Sequence, residues 1–320
     1  MTPFKPTRRI ILQSAAALTI CNIAVPLQAA ELTARDGDER MRMIKTDTGA
    51  ELATQSFGDP ADPAILLIMG AMASMLWWPE EFCQDLAARG HYVIRYDNRD
   101  TGLSTSYQPG SPPYTMDDMA EDAIRILDGY GIEKAHLAGM SLGGMIAQIA
   151  ALTHPQRVRA LTLISTTPVG IDTSGLPQTS AAYMEHASTG ENVDWTDDQQ
   201  VIDFIVRDTK MIAGTAHPYD EARARNLVEN DVKRARNFVS VTNHFMLKGG
   251  EGLDGRLPGL EAPLLVIHGT ADPIFPVDHG TLLADTVAGA RLLKFEGGGH
   301  ELHPGDWPEI IAAIAEHSNH

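Results

Sequence analysis

The sequence predicts an α/β architecture: a mostly parallel β-sheet flanked by helices, with a helical cap inserted between two of its strands. Three observations carry this. Six near-continuous apolar runs have strand length: AILLIMG (64–70), HYVIRYD (91–97), AHLAGMS (135–141), ALTLIST (160–166), LLVIHG (264–269) and RLLKFEG (291–297). Runs without polar alternation suit strands buried on both faces, which is the situation of a parallel sheet covered by helices. Helical patterns lie between most of these runs, and one long interval, 170–257, has helical stretches but no strand run.

Taken in order, MRMIKT and ELATQSFG flank a turn-like stretch at 47–50 and read as an N-terminal hairpin. A helix follows on PEEFCQDLAARG, where Cys83 sits in an apolar stripe and reads as a packing residue. Met116, Met119, Ala123, Leu127 and Tyr130 mark the next helix, with Thr115 as its cap. Met145, Ile146, Ile149 and Leu152 mark another, ending near His154 and Pro155. Alternating strands and helices of this kind wind into a parallel sheet with both faces covered. The interval 170–257 offers helical stretches around SAAYMEHAS, DQQVIDFIVRDTKMIA and DEARARNLVENDVKRARNFVSVTNHFML. The expected organisation is therefore a core of 41–169 and 258–320, with 170–257 as the cap.

The formal net charge is −17, and the only charges in the first 29 residues are Lys5, Arg8 and Arg9, so the remainder is still more acidic. Nucleic acid and anionic membrane surfaces would be repelled and are excluded as partners. The opening stretch has a basic start, a moderately apolar centre diluted by Gln13 and Ser14, and small residues around Ala29 and Ala30. It reads as a cleavable export signal over 1–29, similar to bacterial twin-arginine signals through Arg8 and Arg9. The expected location is periplasmic or secreted, without stable membrane association after cleavage. Removal of the signal takes Cys21 with it and leaves Cys83 alone, so no internal disulfide is expected.

The stretch LAGMSLGGMIAQ sets Ser141 between Gly139 and Gly143, where an apolar run gives way to a helical pattern. A sharp strand-to-helix turn leaves no room for side chains two positions to either side, and it exposes the serine Oγ beside a helix N-terminus able to stabilise negative charge. A serine hydroxyl needs a base, and the base needs an orienting acid. Asp272 follows the run LLVIHG, and His300 follows the last run in a glycine-rich loop. Each candidate leaves a strand at its C-terminal end, where open α/β sheets place their sites.

From residue 64 onward the chain resembles an α/β-hydrolase of the serine esterase kind. Its stretch LLIMGAMASMLWWPEEFCQDLAARGHYVIRYDNRDTGLST is similar to the aclacinomycin methylesterase type. The resemblance implies Ser141 as nucleophile, His300 as base and Asp272 as its partner. It also implies oxyanion donors from the backbone N–H of Leu142 and of Ala71, with Gly70 as the alternative to Ala71. Many members of the wider family carry His-Gly where this chain has Met69-Gly70.

Each residue also has a plainer reading. Asp278 rivals Asp272 but suits the N-cap of the following helix, and His303 rivals His300 but lacks the preceding glycines. Asp97, Arg99 and Asp100 suit ion pairing of their loop, and His268 suits a structural role at a strand end. Trp77 and Trp78 either line a substrate pocket or lie buried under the cap, and Asn243, His244 and Met246 either face substrate or pack the cap on the core. The histidines show no metal-ligand spacing, so neither metal nor cofactor is expected. The expected activity is hydrolysis of a small or medium carboxylic ester. The same fold and triad also serve C–C bond hydrolases, proline iminopeptidases and perhydrolases, and a catalytically silent binding protein is the reading from another class.

Overall fold

The computed structural model describes residues 40–318, so the stretch 1–29, read from sequence as an export signal, lies outside the described residues. An eight-stranded sheet runs through the centre in the order β1-β2-β4-β3-β5-β6-β7-β8. β1 (Met41–Lys45) and β2 (Glu51–Phe57) form the antiparallel hairpin, and β2 pairs antiparallel with β4 (Tyr92–Tyr96). From there β3 (Ala64–Ile68), β5 (Ala135–Met140), β6 (Val158–Ile164), β7 (Leu264–Gly269) and β8 (Arg291–Phe295) are all parallel to their neighbours. The buried residues of β3 to β7 account for the unbroken apolar runs.

Helices cover both faces. α2 (Met116–Gly129) and α3 (Leu142–Thr153) pack Met119, Ile126, Met145 and Ile149 onto one side, and α7 (Asp278–Thr286) adds Leu283. α1 (Glu80–Ala87) and α8 (Trp307–His317) cover the other with Phe82, Leu86, Ile311 and Ile314. Thr115 caps α2 in a reciprocal box with Asp118, which satisfies two otherwise orphaned donors. Cys83 is buried in the core of α1, and desolvation pushes its thiol up to about 12, beyond any use as a nucleophile. The ion-rich loop after β4 is knitted inward: Arg99 forks onto Asp122 at 2.6 and 2.7 Å, and Asp97 pairs with Arg234.

Between β6 and β7 the chain forms α4 (Ala181–Ser188), α5 (Asp198–Ile212) and α6 (Glu221–Arg234), with their own small core of Val201, Phe204, Ile205 and Val228. The last helical stretch expected there divides in two. α6 stops at Arg234, and a 3₁₀ turn, Phe238–Met246, follows and packs on the loop after β4. No helix among the described residues is long and apolar enough to cross a membrane.

Candidate active site

Ser141 stands between β5 and α3 with φ 53° and ψ −121°, a left-handed conformation that costs an ordinary residue of order 1 kcal/mol. The surroundings hold it there. A Cβ at Gly139 would overlap the Gly143 carbonyl, and one at Gly143 would overlap the Ile68 carbonyl, so both positions must lack a side chain. Thr166 Oγ1 donates to the Ser141 carbonyl at 2.7 Å and fixes the turn from β6. Ser141 heads α3 without making a capping hydrogen bond through its own side chain, which leaves Oγ for other use.

The run Gly297–Gly299 lets three segments meet behind the histidine. Gly298 accepts from the Ala271 amide at 2.9 Å, Gly297 accepts from the Thr215 amide, and Gly299 lies so close to Ile212 and Gly214 that a Cβ would overlap them. The His300 amide then donates to the Ile212 carbonyl at 2.8 Å. Its Nδ1 donates to Asp272 Oδ2, also at 2.8 Å. Oδ1 of Asp272 accepts from the Ile274 and Phe275 amides at 2.8 and 2.9 Å. Burial opposes the Asp272 charge, but the facing His300, the hydrogen bond to it, His268 and the Phe275 amide together hold the carboxyl below its usual pKa.

Ser141 and His300 both line one cavity of about 2050 Å³ beneath the helices between β6 and β7. Gly70, Ala71 and Leu142 line it too, beside Ser141. Leu142 is the first residue of α3, where a backbone N–H has no acceptor within the helix. Neither rival takes part in the bond between His300 and Asp272. Asp278 is the first residue of α7, whose cap position is held by Val277, so it does not cap that helix as expected. His303 is half-buried rather than a surface residue: its Nδ1 accepts from the Gly305 amide, and its ring stacks on His217 at 4.1 Å.

The pocket residues expected from sequence divide. Trp77 and His244 line the cavity. Trp78 does not: it is fully buried against Phe82, inside the face covered by α1. Asn243 is buried with its amide spent on Asp100, Gln108 and Gly110, and Met246 is 48% exposed, away from the cavity. His244 uses both ring nitrogens on backbone groups, Met72 N–H at 3.0 Å and the Arg99 carbonyl at 2.8 Å.

Several lining residues had no signal in the sequence. Asp231 on α6 accepts from Trp77 Nε1 at 2.7 Å, and burial pushes its carboxyl up to about 6. Phe275 lies against the rings of both His300 and His279. Among the described residues, His217, His303 and Asp306 are the one grouping that could gather on a metal ion. Their arrangement is that of a hydrogen-bonded stack: the histidine rings are parallel within 8°, so their lone pairs do not converge, and His217 Nε2 is engaged with Asp306 at 2.7 Å.

Comparison with known proteins agrees with the fold. A profile of the alpha/beta hydrolase fold family matches residues 63–306. Rhodomycin D methylesterase DauP of Streptomyces sp. strain C5 is 34% identical over 87% of this chain and 97% of its own length. Rhodomycin D methylesterase DnrP of Streptomyces peucetius is 33% identical over the same shares. Among solved structures, an esterase from Rhodococcus sp. ECU1013 superposes with a TM-score of 0.71 at 21% identity, covering 88% of this chain and 98% of that one.

Proposed function

Since this chain belongs to the alpha/beta hydrolase fold family and is a hydrolase acting on esters, we propose that it works as a serine esterase with Ser141, His300 and Asp272 as its triad and with a bulky ester as its substrate. The observation that carries the reading is the 2.8 Å bond from His300 Nδ1 to Asp272, at the same cavity onto which the strained Ser141 turn opens.

With Nδ1 donating to Asp272, the imidazole keeps a lone pair on Nε2 for the serine proton. Ser141 Oγ attacks the ester carbonyl as that proton moves to His300. The resulting oxyanion is held by the backbone N–H groups of Leu142 and Ala71. His300 then returns the proton to the departing alcohol, and the acyl-enzyme forms. Water repeats the sequence: His300 takes its proton, the second tetrahedral oxyanion collapses, and the acid leaves as Ser141 regains its hydrogen. An aspartate at position 141 would suit epoxide or haloalkane chemistry; a serine suits acyl transfer.

The cavity volume supports a bulkier ester than the small or medium one expected from sequence, since ligand pockets commonly measure about 300–1,000 Å³. Apolar groups such as Met145, Phe204, Ile205 and Phe275 make up much of its lining. The rhodomycin D methylesterases at a third identity support methanol as the leaving alcohol. The basic and apolar opening stretch supports export.

The test is hydrolysis of p-nitrophenyl esters of increasing acyl length and of methyl esters of polycyclic aromatic acids, with and without a fluorophosphonate, followed by peptide mapping. Activity that disappears as Ser141 is labelled, together with turnover of the bulky methyl esters, is the expected result. Activity that survives labelling overturns the nucleophile, and turnover confined to the shortest acyl chains overturns the substrate size.

A further inference from the structure

We propose that His244, contributed by the 3₁₀ turn that follows α6, is a positioning residue for the oxyanion hole. It fixes the backbone of the loop after β3 by accepting a hydrogen bond from the Met72 amide. The proposal rests on the serine esterase reading above and adds a residue that acts on the reaction without touching the substrate.

Gly70 and Ala71 occupy the short passage between β3 and the 3₁₀ turn Met75–Trp77. Met72 follows with φ 65°, in the left-handed region that non-glycine residues rarely occupy. Such a conformation persists only where the surroundings over-determine it. Here the constraint comes from two sides. Asn98 Nδ2 donates to the Met69 carbonyl at 2.9 Å, ahead of Gly70. His244 Nδ1 accepts from the Met72 amide at 3.0 Å, directly after Ala71. The proposed donor, the Ala71 N–H, is therefore bracketed by one clamp on the core and one from the segment between β6 and β7.

The imidazole is suited to this task and to no other at the site. A backbone carbonyl can only accept, so the 2.8 Å contact with Arg99 places the ring hydrogen on Nε2 and leaves the Nδ1 lone pair for Met72. Both nitrogens are thereby used, which removes His244 from substrate recognition and from proton transfer. The ring is fully buried, and burial pushes its pKa down to about 4, so the neutral form with that lone pair persists at neutral pH. Its support is rigid on each side. Arg99 is forked onto Asp122 of α2, and the adjacent Asn243 is bonded to Asp100, Gln108 and Gly110.

Two substitutions distinguish positioning from general packing. His244→Asn places an amide oxygen near the Nδ1 position and keeps an acceptor for Met72, whereas His244→Gln reaches towards Arg99 and loses that acceptor. Loss of one oxyanion donor typically costs about 10²- to 10³-fold in rate. The expected result is a fall of that order in kcat for His244→Gln with KM changed less than about threefold, and recovery to within about tenfold of wild type in His244→Asn. Hydrogen-exchange mass spectrometry of the 69–75 segment should show faster exchange in His244→Gln than in His244→Asn, with both variants folded by circular dichroism. Equal activity of the two variants, or a change confined to KM, overturns the positioning role. Ser141→Ala is run beside them. If it is inactive while His244→Gln is unimpaired, this inference alone fails; if Ser141→Ala retains activity, the reading of the site fails and takes the oxyanion assignment with it.

Discussion

Replacing Asp272 with asparagine tests the catalytic reading more sharply than removing it. The exchange is nearly isosteric, and the local hydrogen bonds dictate how the amide must lie. Oδ1 receives the Ile274 and Phe275 amides at 2.8 and 2.9 Å, and only the amide oxygen can accept them. The NH₂ group is then turned towards His300 Nδ1, where the carboxylate oxygen lay at 2.8 Å. Facing a donor, the imidazole must present its Nδ1 lone pair and carry its hydrogen on Nε2, the wrong tautomer for taking a proton from Ser141. The same exchange in a serine protease costs about 10⁴ in kcat, or roughly 5.5 kcal/mol at 1.36 kcal/mol per decade. Flipping the amide to restore the tautomer would abandon two buried amide donors, each worth about 1–3 kcal/mol, so the flip offers little relief. Steady-state hydrolysis of a p-nitrophenyl ester and thermal melting measure the two quantities. The expected pair is a loss of about four decades in kcat with a melting temperature close to wild type. A variant within tenfold of wild-type kcat would show that this carboxylate does not set the tautomer, and the argument would fail at its central step.

Other outcomes follow from the same packing. Asp278→Asn should leave kcat within about twofold in the ester assay, since Asp278 sits in the first turn of α7 and His300 Nδ1 is already bonded to Asp272; a large loss would transfer the acid role to it. Gly143→Ala should destabilise by at least about 1–3 kcal/mol, because the new methyl would overlap the Ile68 carbonyl, a backbone atom that cannot swing aside; an unchanged urea midpoint would contradict the tight elbow. Two buried groups should bend the stability profile with pH in opposite directions. The His244 pKa falls from 6.5 unfolded to about 4 folded, so its contribution is present above 6.5 and is lost as pH drops towards 4, by up to roughly 3 kcal/mol. The Asp231 pKa rises from 3.8 to about 6, so its contribution is present below 3.8 and is lost as pH rises through 6. Urea titrations at pH 7 and pH 5 should show a shallower acid loss in His244→Asn than in wild type and a steeper one in Asp231→Asn; the reverse order would refute the assignment.

What was legible in the sequence was whatever a local pattern can express. Strands buried on both faces leave apolar runs, so β3 to β7 are legible as such. The run at β8 marks a strand too, but an edge strand whose residues are exposed or half-buried, against the expectation of burial on both faces. The elbow is a five-residue feature whose glycines are demanded by contacts of its own turn and of the neighbouring β3, so Ser141 was visible too. Asp272 and His300 were visible because each follows a strand end. Contacts between distant segments were not. Trp77 and Trp78 are neighbours in the chain, yet one faces the cavity and the other Phe82, a difference decided by the turn Met75–Trp77. Asp231 lies in a helix dense with charges, where an acidic residue reads as solvated, and only the approach of Trp77 and Ser74 from about 150 positions earlier buries it. His217 and His303 stack across 86 positions, with no local trace in either stretch.

The bond from the His300 amide to the Ile212 carbonyl has a practical consequence for anyone wishing to change what this protein accepts. The helices between β6 and β7 are the obvious part to exchange with a relative's, as they roof the cavity. Yet that same segment supplies the carbonyl that seats His300 and the imidazole that holds Met72. A graft cut at the strand ends would replace the roof and two footings of the proposed catalytic machinery in one stroke. Chimeras that retain residues 212–216 and 238–246 from this chain, and draw only α4, most of α5 and α6 from elsewhere, keep those footings while reshaping the roof.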